Sequence, residues 1–248
     1  MRPKNVAVME KTPSLVERST LSTRIYALLK HRILTCALLP GQRMMERELC
    51  REPGITRTPL REAISRLVLE GLVSETPYCG YTVAPITFTD MREMCELRRV
   101  VEVEVAVLAS KRATPEEVTN LRKLAPVPYA HGDRATYESY LKGNSAFHQM
   151  LARCAHNTRL EGVAIQALEL LQRPLFLVLD VGELDSNRST LEHLTLVGAI
   201  EAHHPSRARR EMTYHVDRAT EMMLVSLQKL SATQLDGSTV KDTSVKAR

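Results

Sequence analysis

The chain has no CxxC pair. Its five cysteines, Cys36, Cys50, Cys79, Cys95 and Cys154, stand singly and are odd in number, which sets aside a disulfide framework and fits a reducing cytoplasm. Nor does it contain an apolar run of about 18 residues, the minimum for a membrane span. The opening MRPKNVAVMEK lacks the apolar stretch of a secretory signal. A cytoplasmic protein with no membrane partner is therefore expected. Internal repeats and low-complexity blocks are absent as well, and beyond Asp90 no period-two alternation of apolar and polar residues suggests a strand. Whatever β-structure exists should lie in the first third.

What is present divides unevenly. At 248 residues the chain has room for two modest domains. Residues 1–87 hold 13 Lys and Arg against 8 Asp and Glu, whereas residues 88–248 hold 21 against 21, so the whole formal excess of +5 sits in the first third. A basic module followed by a neutral remainder fits a nucleic-acid reader attached to something else.

Within the basic third, Thr56–Leu67 reads TRTPLREAISRL. Thr58 is a suitable N-cap and Pro59 suits a first helical position. Leu60, Ala63, Ile64, Leu67 and Val68 follow at helical spacing and can pack inward. Arg57, Thr58 and Arg61 are left at the exposed N-terminal end, where the second helix of a helix-turn-helix meets base edges. Met44–Arg51, closed by Pro53-Gly54, supplies a helix in front. An ordinary helical hairpin with solvated arginines would share this pattern. The segment that follows favours the DNA-reading alternative: Val73–Glu75 and Tyr81–Val83 read as strands around Thr76–Gly80, a wing whose Gly80 lets the backbone approach phosphate.

Leu21–Leu34 should form an amphipathic helix ahead of this module, through Ile25, Leu28, Leu29 and Ile33. Residues 86–90 are expected as a linker. Helical signals then continue over Met91–Lys111, from the Thr114-Pro115-Glu116-Glu117 start signal, and over about 133–155, 159–180, 187–203 and 206–230. Pro174 should kink or divide the fourth of these. The expected fold is mainly α: a winged helix-turn-helix over 19–85 and an all-α antiparallel bundle over 91–230, between flexible tails at 1–18 and 231–248.

Three helices of this bundle each carry a histidine near an apolar stripe. Asn144 and His148 lie one turn apart on one face; His193 and His215 lie in two later helices. Each could be an ordinary core histidine, and spacing alone does not show convergence. If they converge, an Asn/His₃ set suits Zn²⁺, Ni²⁺ or another divalent transition metal. Such a set also admits a metal-dependent hydrolase, but no acid lies within four residues of His148 to act as a general base; Glu192 and Asp217 are the nearest companions. A purely structural metal without an effector is the other alternative.

Taken together, the chain resembles a GntR-family transcriptional regulator of the FadR subfamily with an FCD-type C-terminal domain. The resemblance runs from about Arg24 to about Leu227 and is most specific over LLPGQRMMERELCREPGITRTPLREAISRLVLEGLV. It implies DNA contacts at Arg47, Arg57, Thr58 and Arg61, with Arg47 on phosphate, Arg57 and Arg61 on bases, and Gly80 at the wing tip. It also implies metal ligands at Asn144, His148, His193 and His215, with Asn at the first position where many relatives carry Asp. Zinc is the first candidate. Arg98 is implied as a partner for the carboxylate of a small organic-acid effector, although a surface salt bridge to Glu102 at i+4 is its plain alternative. A homodimeric repressor on a near-palindromic double-stranded operator is the resulting expectation.

Overall fold

The computed structural model describes residues 20–76, 80–181 and 184–235. The chain divides into two compact units, one comprising the chain through His31 with Arg43–Thr82, the other Arg32–Gln42 with everything from Val83.

Helix α1 spans Leu21–Leu34, as its periodicity predicts, and begins in the first unit; it buries Ile25, Leu29 and Ile33 while Leu28 stays exposed. Then come β1 (Arg43–Met44), α2 (Glu46–Leu49) and α3 (Arg57–Leu69). The leading helix of the turn motif is thus a single turn starting after Met45, not an element over Met44–Arg51. Met44 belongs to a strand pairing Arg43 with Thr82 and itself with Tyr81. Two residues are too few to carry any period.

The start of α3 also differs from expectation. Thr56 is the N-cap, in extended conformation, and the first helical bond runs from Leu60 N to Thr56 O. Arg57 and Thr58 are therefore left with N–H groups that have no helical acceptor, and Pro59, third in the helix, has no N–H to leave unpaired. A proline costs as little at the third helical position as at the first. Leu60, Ala63, Ile64 and Leu67 are buried and Val68 is only half-buried. After Gly71, in positive φ, the chain enters β2 (Val73–Thr76) and β3 (Gly80–Val83), giving a sheet of order β1-β3-β2.

The second unit is helical. Thr87 caps α4 (Phe88–Arg112) in a full capping box with Asp90, so Phe88–Asp90 of the expected linker 86–90 already form the first turn of a helix. This helix packs against α6 (Arg134–Cys154), α7 (Thr158–Leu170), α9 (Ser186–Glu201) and α10 (Pro205–Leu235). It is therefore buried on most sides over its second half. Thr114 caps α5 (Pro115–Leu124) through Glu117, as its sequence predicts. Asp133, Asn157 and Asp185 cap α6, α7 and α9. The helix expected over 159–180 breaks into α7 and α8 (Gln172–Val181), bent by 41°. The break follows Leu170 because the ring of Pro174 would collide with that carbonyl, four residues back.

Helix α10 buries Ala208, Met212, Val216, Ala219, Met223 and Leu227 at spacings of three and four. It runs to Leu235, so 231–235 continue a helix where a tail was expected; the rest of both expected tails lies outside the described residues. No single helix among the described residues is long and apolar enough to cross a membrane.

Candidate metal centre and nucleic-acid interface

The N-terminal turn of α3 presents Arg57 and Thr58 to solvent, and Arg61 follows Arg57 one turn on. Arg47 is exposed in α2. Gly80 opens β3 at φ 89, a left-handed conformation that a side chain would strain. All five expected contact residues thus lie on the surface of the winged unit. Arg61 is engaged already: its Nε donates to Glu46 Oε1 at 2.9 Å and its Nη2 to Glu46 Oε2 at 3.0 Å.

The helical unit brings its three histidines together. His148 on α6, His193 on α9 and His215 on α10 each offer one nitrogen, and these nitrogens lie within 4.8 Å of one another. The ring centroids are 5.0–5.3 Å apart, and Phe147 stacks on His193 at 4.0 Å. Asn144 is buried one turn before His148 on the same helix.

On their opposite edges His193 and His215 are hydrogen-bonded to oxygen, whereas His148 has only a carboxylate nearby. His193 Nδ1 lies 3.1 Å from the Ala125 carbonyl oxygen, and His215 Nδ1 lies 2.8 Å from Glu192 Oε2. His148 Nδ1 lies 3.3 Å from Glu102 Oε2. A ring whose Nδ1–H donates to oxygen has its Nε2 lone pair left over, which is how metal-ligating histidines are held. His193 Nε2 is buried without a hydrogen-bond partner, a cost that a bound cation would remove. The donor set fits a divalent transition metal.

Burial, then His215 and His148 beside it, holds the His193 imidazole well below its ordinary pKa. Burial likewise brings His215 down to about 4, against the pull of Glu192. Both rings are neutral at ordinary pH, the form a metal needs.

Arg98 and Glu102 are not the surface pair that their i,i+4 spacing allows. Both are buried, with Arg98 Nε 3.1 Å from Glu102 Oε2 and side-chain exposures of 2% and 3%. Arg98 Nη2 lies 3.5 Å from His148 Nε2, so a guanidinium stands beside the histidine cluster. Burial by itself would raise the Glu102 pKa, yet Arg98 and His148 bring it down to about 2. On the far side Arg218 donates to Glu192 Oε2 at 2.9 Å and to Ser189 Oγ at 3.2 Å.

Sequence reasoning missed Glu102, the Ala125 carbonyl and Arg218 in this site. No acid lies close to His148 along the chain; Glu102 arrives from a different helix. Asp217 is exposed and pairs with Arg99 instead. Of the other histidines, His156 meets Glu117 and His203 meets the Ser110 carbonyl, both at helix ends.

The comparisons agree with this division. Residues 21–83 match the model of the bacterial regulatory proteins of the gntR family, and residues 93–218 match the FCD domain. The HTH-type transcriptional repressor RspR of Escherichia coli is 24% identical over 203 residues, covering 81% of this chain and 88% of that protein. The HTH-type regulator YdhC of Bacillus subtilis is 28% identical over 60% of this chain, and the Nta operon transcriptional regulator of Aminobacter aminovorans 33% identical over 49%. Those two matches span only 66% and 57% of the relatives' own lengths. Among solved structures, E. coli McbR/YncC shares the fold with a TM-score of 0.66 at 21% identity, over 86% of this chain and all of that one. An arginine-bearing helix in a winged unit, followed by a helical unit that the FCD model covers, leaves one assignment: the chain belongs to the gntR family of bacterial regulatory proteins with an FCD domain, a DNA-binding transcriptional regulator rather than an enzyme.

Proposed function

We propose that the protein is a homodimeric, effector-responsive repressor whose helical unit binds a divalent metal and a small carboxylate. The observation that carries this reading is the histidine cluster: three buried rings, each with Nδ1 near an oxygen and one with an orphaned Nε2, beside the guanidinium of Arg98. Asn144, His148, His193 and His215 would hold the ion. When bound, a divalent ion supplies a Lewis-acidic centre to which a carboxylate can add.

The chain's own residues do the rest. Glu102 keeps the buried Arg98 neutralised until a ligand carboxylate competes for it; a guanidinium fork then fixes that carboxylate in two directions. Ligand can alter DNA affinity only by preferring one arrangement of the protein over another. Two winged units related by a two-fold axis would read the halves of a near-palindromic operator, with Arg57 and Arg61 at bases, Thr58 in contact beside them, and Arg47 and Gly80 at the backbone. Repression is the sense supported by the names of two relatives, RspR and a probable D-xylose operon repressor.

The test uses the untagged chain. Elemental analysis should find about one divalent ion per chain, as one four-ligand site implies. A screen of small organic acids should then yield one that raises the Tm and weakens operator binding. In Arg98→Lys, which keeps the charge opposite Glu102 but loses the fork, the metal should remain and the acid response should vanish. Protein that neither contains nor takes up metal, or Arg98→Lys with an unaltered acid response, defeats the reading.

A further inference from the structure

Arg61 is oriented before any DNA arrives. Its Nε and Nη2 engage both oxygens of Glu46, at 2.9 and 3.0 Å, so the side edge of the guanidinium is occupied. The edge left over carries Nη1 and the outer hydrogen of Nη2, the pair of donors that matches guanine O6 and N7. Glu46 is the less exposed of the two: it opens α2, and its side chain is 24% exposed against 62% for Arg61. The two helices of the turn motif are therefore joined through the base-reading side chain rather than beside it. An unrestrained arginine has to be ordered during binding, whereas one clamped along its side edge has lost that freedom already.

The carboxylate has an opposite effect on DNA at large. A negative charge on a phosphate-facing surface weakens binding to every sequence alike. Glu46 is not among the residues assigned to DNA contact, and nothing requires it to touch DNA. We infer that Glu46 is a positioning residue for base readout: by holding Arg61 with its outer edge presented, it weakens binding to DNA in general and sharpens discrimination at the base pair Arg61 reads. This rests on the base-reading role of Arg61 proposed above.

The experiment begins with an operator selected from random DNA by the wild-type chain. Affinities are then measured at fixed salt for that operator, for each single base-pair change in one half-site, and for non-specific DNA. Arg61→Ala should lose its preference at one base pair. Glu46→Ala and Glu46→Gln should lose about five- to tenfold of the preference at that same base pair, leave other positions alone, and bind non-specific DNA more tightly. Combining Glu46→Ala with Arg61→Ala should produce no further loss of preference, because the carboxylate acts only through the arginine. Thermal melting of each variant separates this from a folding defect, and Glu46→Gln, which keeps the shape, serves if the alanine variant melts early. Preferences that stay unchanged or sharpen in Glu46→Gln overturn the inference. A wild-type chain that selects no sequence, or Arg61→Ala with an intact preference pattern, overturns the base-reading assignment instead.

Discussion

The two units use arginine in opposite ways. In the winged unit Arg57 and Arg61 stand in solvent at the start of α3, and the one acid that pairs with Arg61 is partly exposed too. In the helical unit Arg98 is buried with Glu102, and Arg218 is mostly buried with Glu192. A charge in water costs nothing to keep ready for a phosphate or a base. A charge in the interior must be neutralised by its own protein until something displaces the partner. The first arrangement suits a large polyanion that arrives at the surface, the second a small anion that has to enter.

The largest effect that would break this contrast is on stability. Glu102→Ala leaves Arg98 buried and unpaired, and should cost about 3–5 kcal/mol in denaturant unfolding. Glu46→Ala leaves an arginine that water can solvate, and should leave the unfolding midpoint nearly unchanged. Equal losses in the two variants would mean that the buried pair is reached by water and that the contrast is false.

A smaller effect follows from the buried imidazoles. The folded state holds His215 at about 4 and His193 well below 6.5, while the unfolded chain protonates both near the ordinary imidazole value of about 6.5. The unfolded state therefore takes up more protons between these values. Stability should be full above about pH 6.5 and fall as the pH drops toward 4, by about 3 kcal/mol for His215 alone. Melting curves of chelator-treated protein should show the decline, and His215→Gln should flatten it. Added metal should raise the curve wherever the rings are neutral, by about 2.7 kcal/mol at a hundredfold excess over Kd. The winged unit has no such buried imidazole among its described residues, and changes there should leave the pH profile unchanged.

The smallest stability effect, and the sharpest functional one, belongs to the exposed arginines. Arg57→Ala should leave melting unchanged while weakening operator binding about tenfold or more and relaxing preference at one base pair. Arg47→Ala should weaken all DNA alike and lower the salt dependence by about one counterion. If Arg57→Ala also weakened all sequences alike, its assignment would move from base to backbone.

The sequence by itself determined what depends on neighbours along the chain. The bounds of α1, the capping box at Thr114 and Glu117, the inward stripe of α3 and the shared face of Asn144 and His148 are all local consequences of helical spacing and cap chemistry. The break between α7 and α8 was legible for the same reason, since a proline acts on the carbonyl four residues back. Helical position singled out the four candidate ligands, and resemblance to a family implied the convergence that periodicity could not show. Only the tertiary structure decided what surrounds them. Arg98 and Glu102 look identical, along the chain, to a solvated i,i+4 pair; whether they are one depends on α6, α7, α9 and α10 closing over α4. The Ala125 carbonyl that orients His193 carries no side-chain signal at all. The Glu46 clamp on Arg61 spans two helices whose relative placement no spacing rule supplies. Burial and convergence are properties of surfaces brought into contact by packing, and they set the charge state, the tautomer and the reach of residues whose identities were readable from the start.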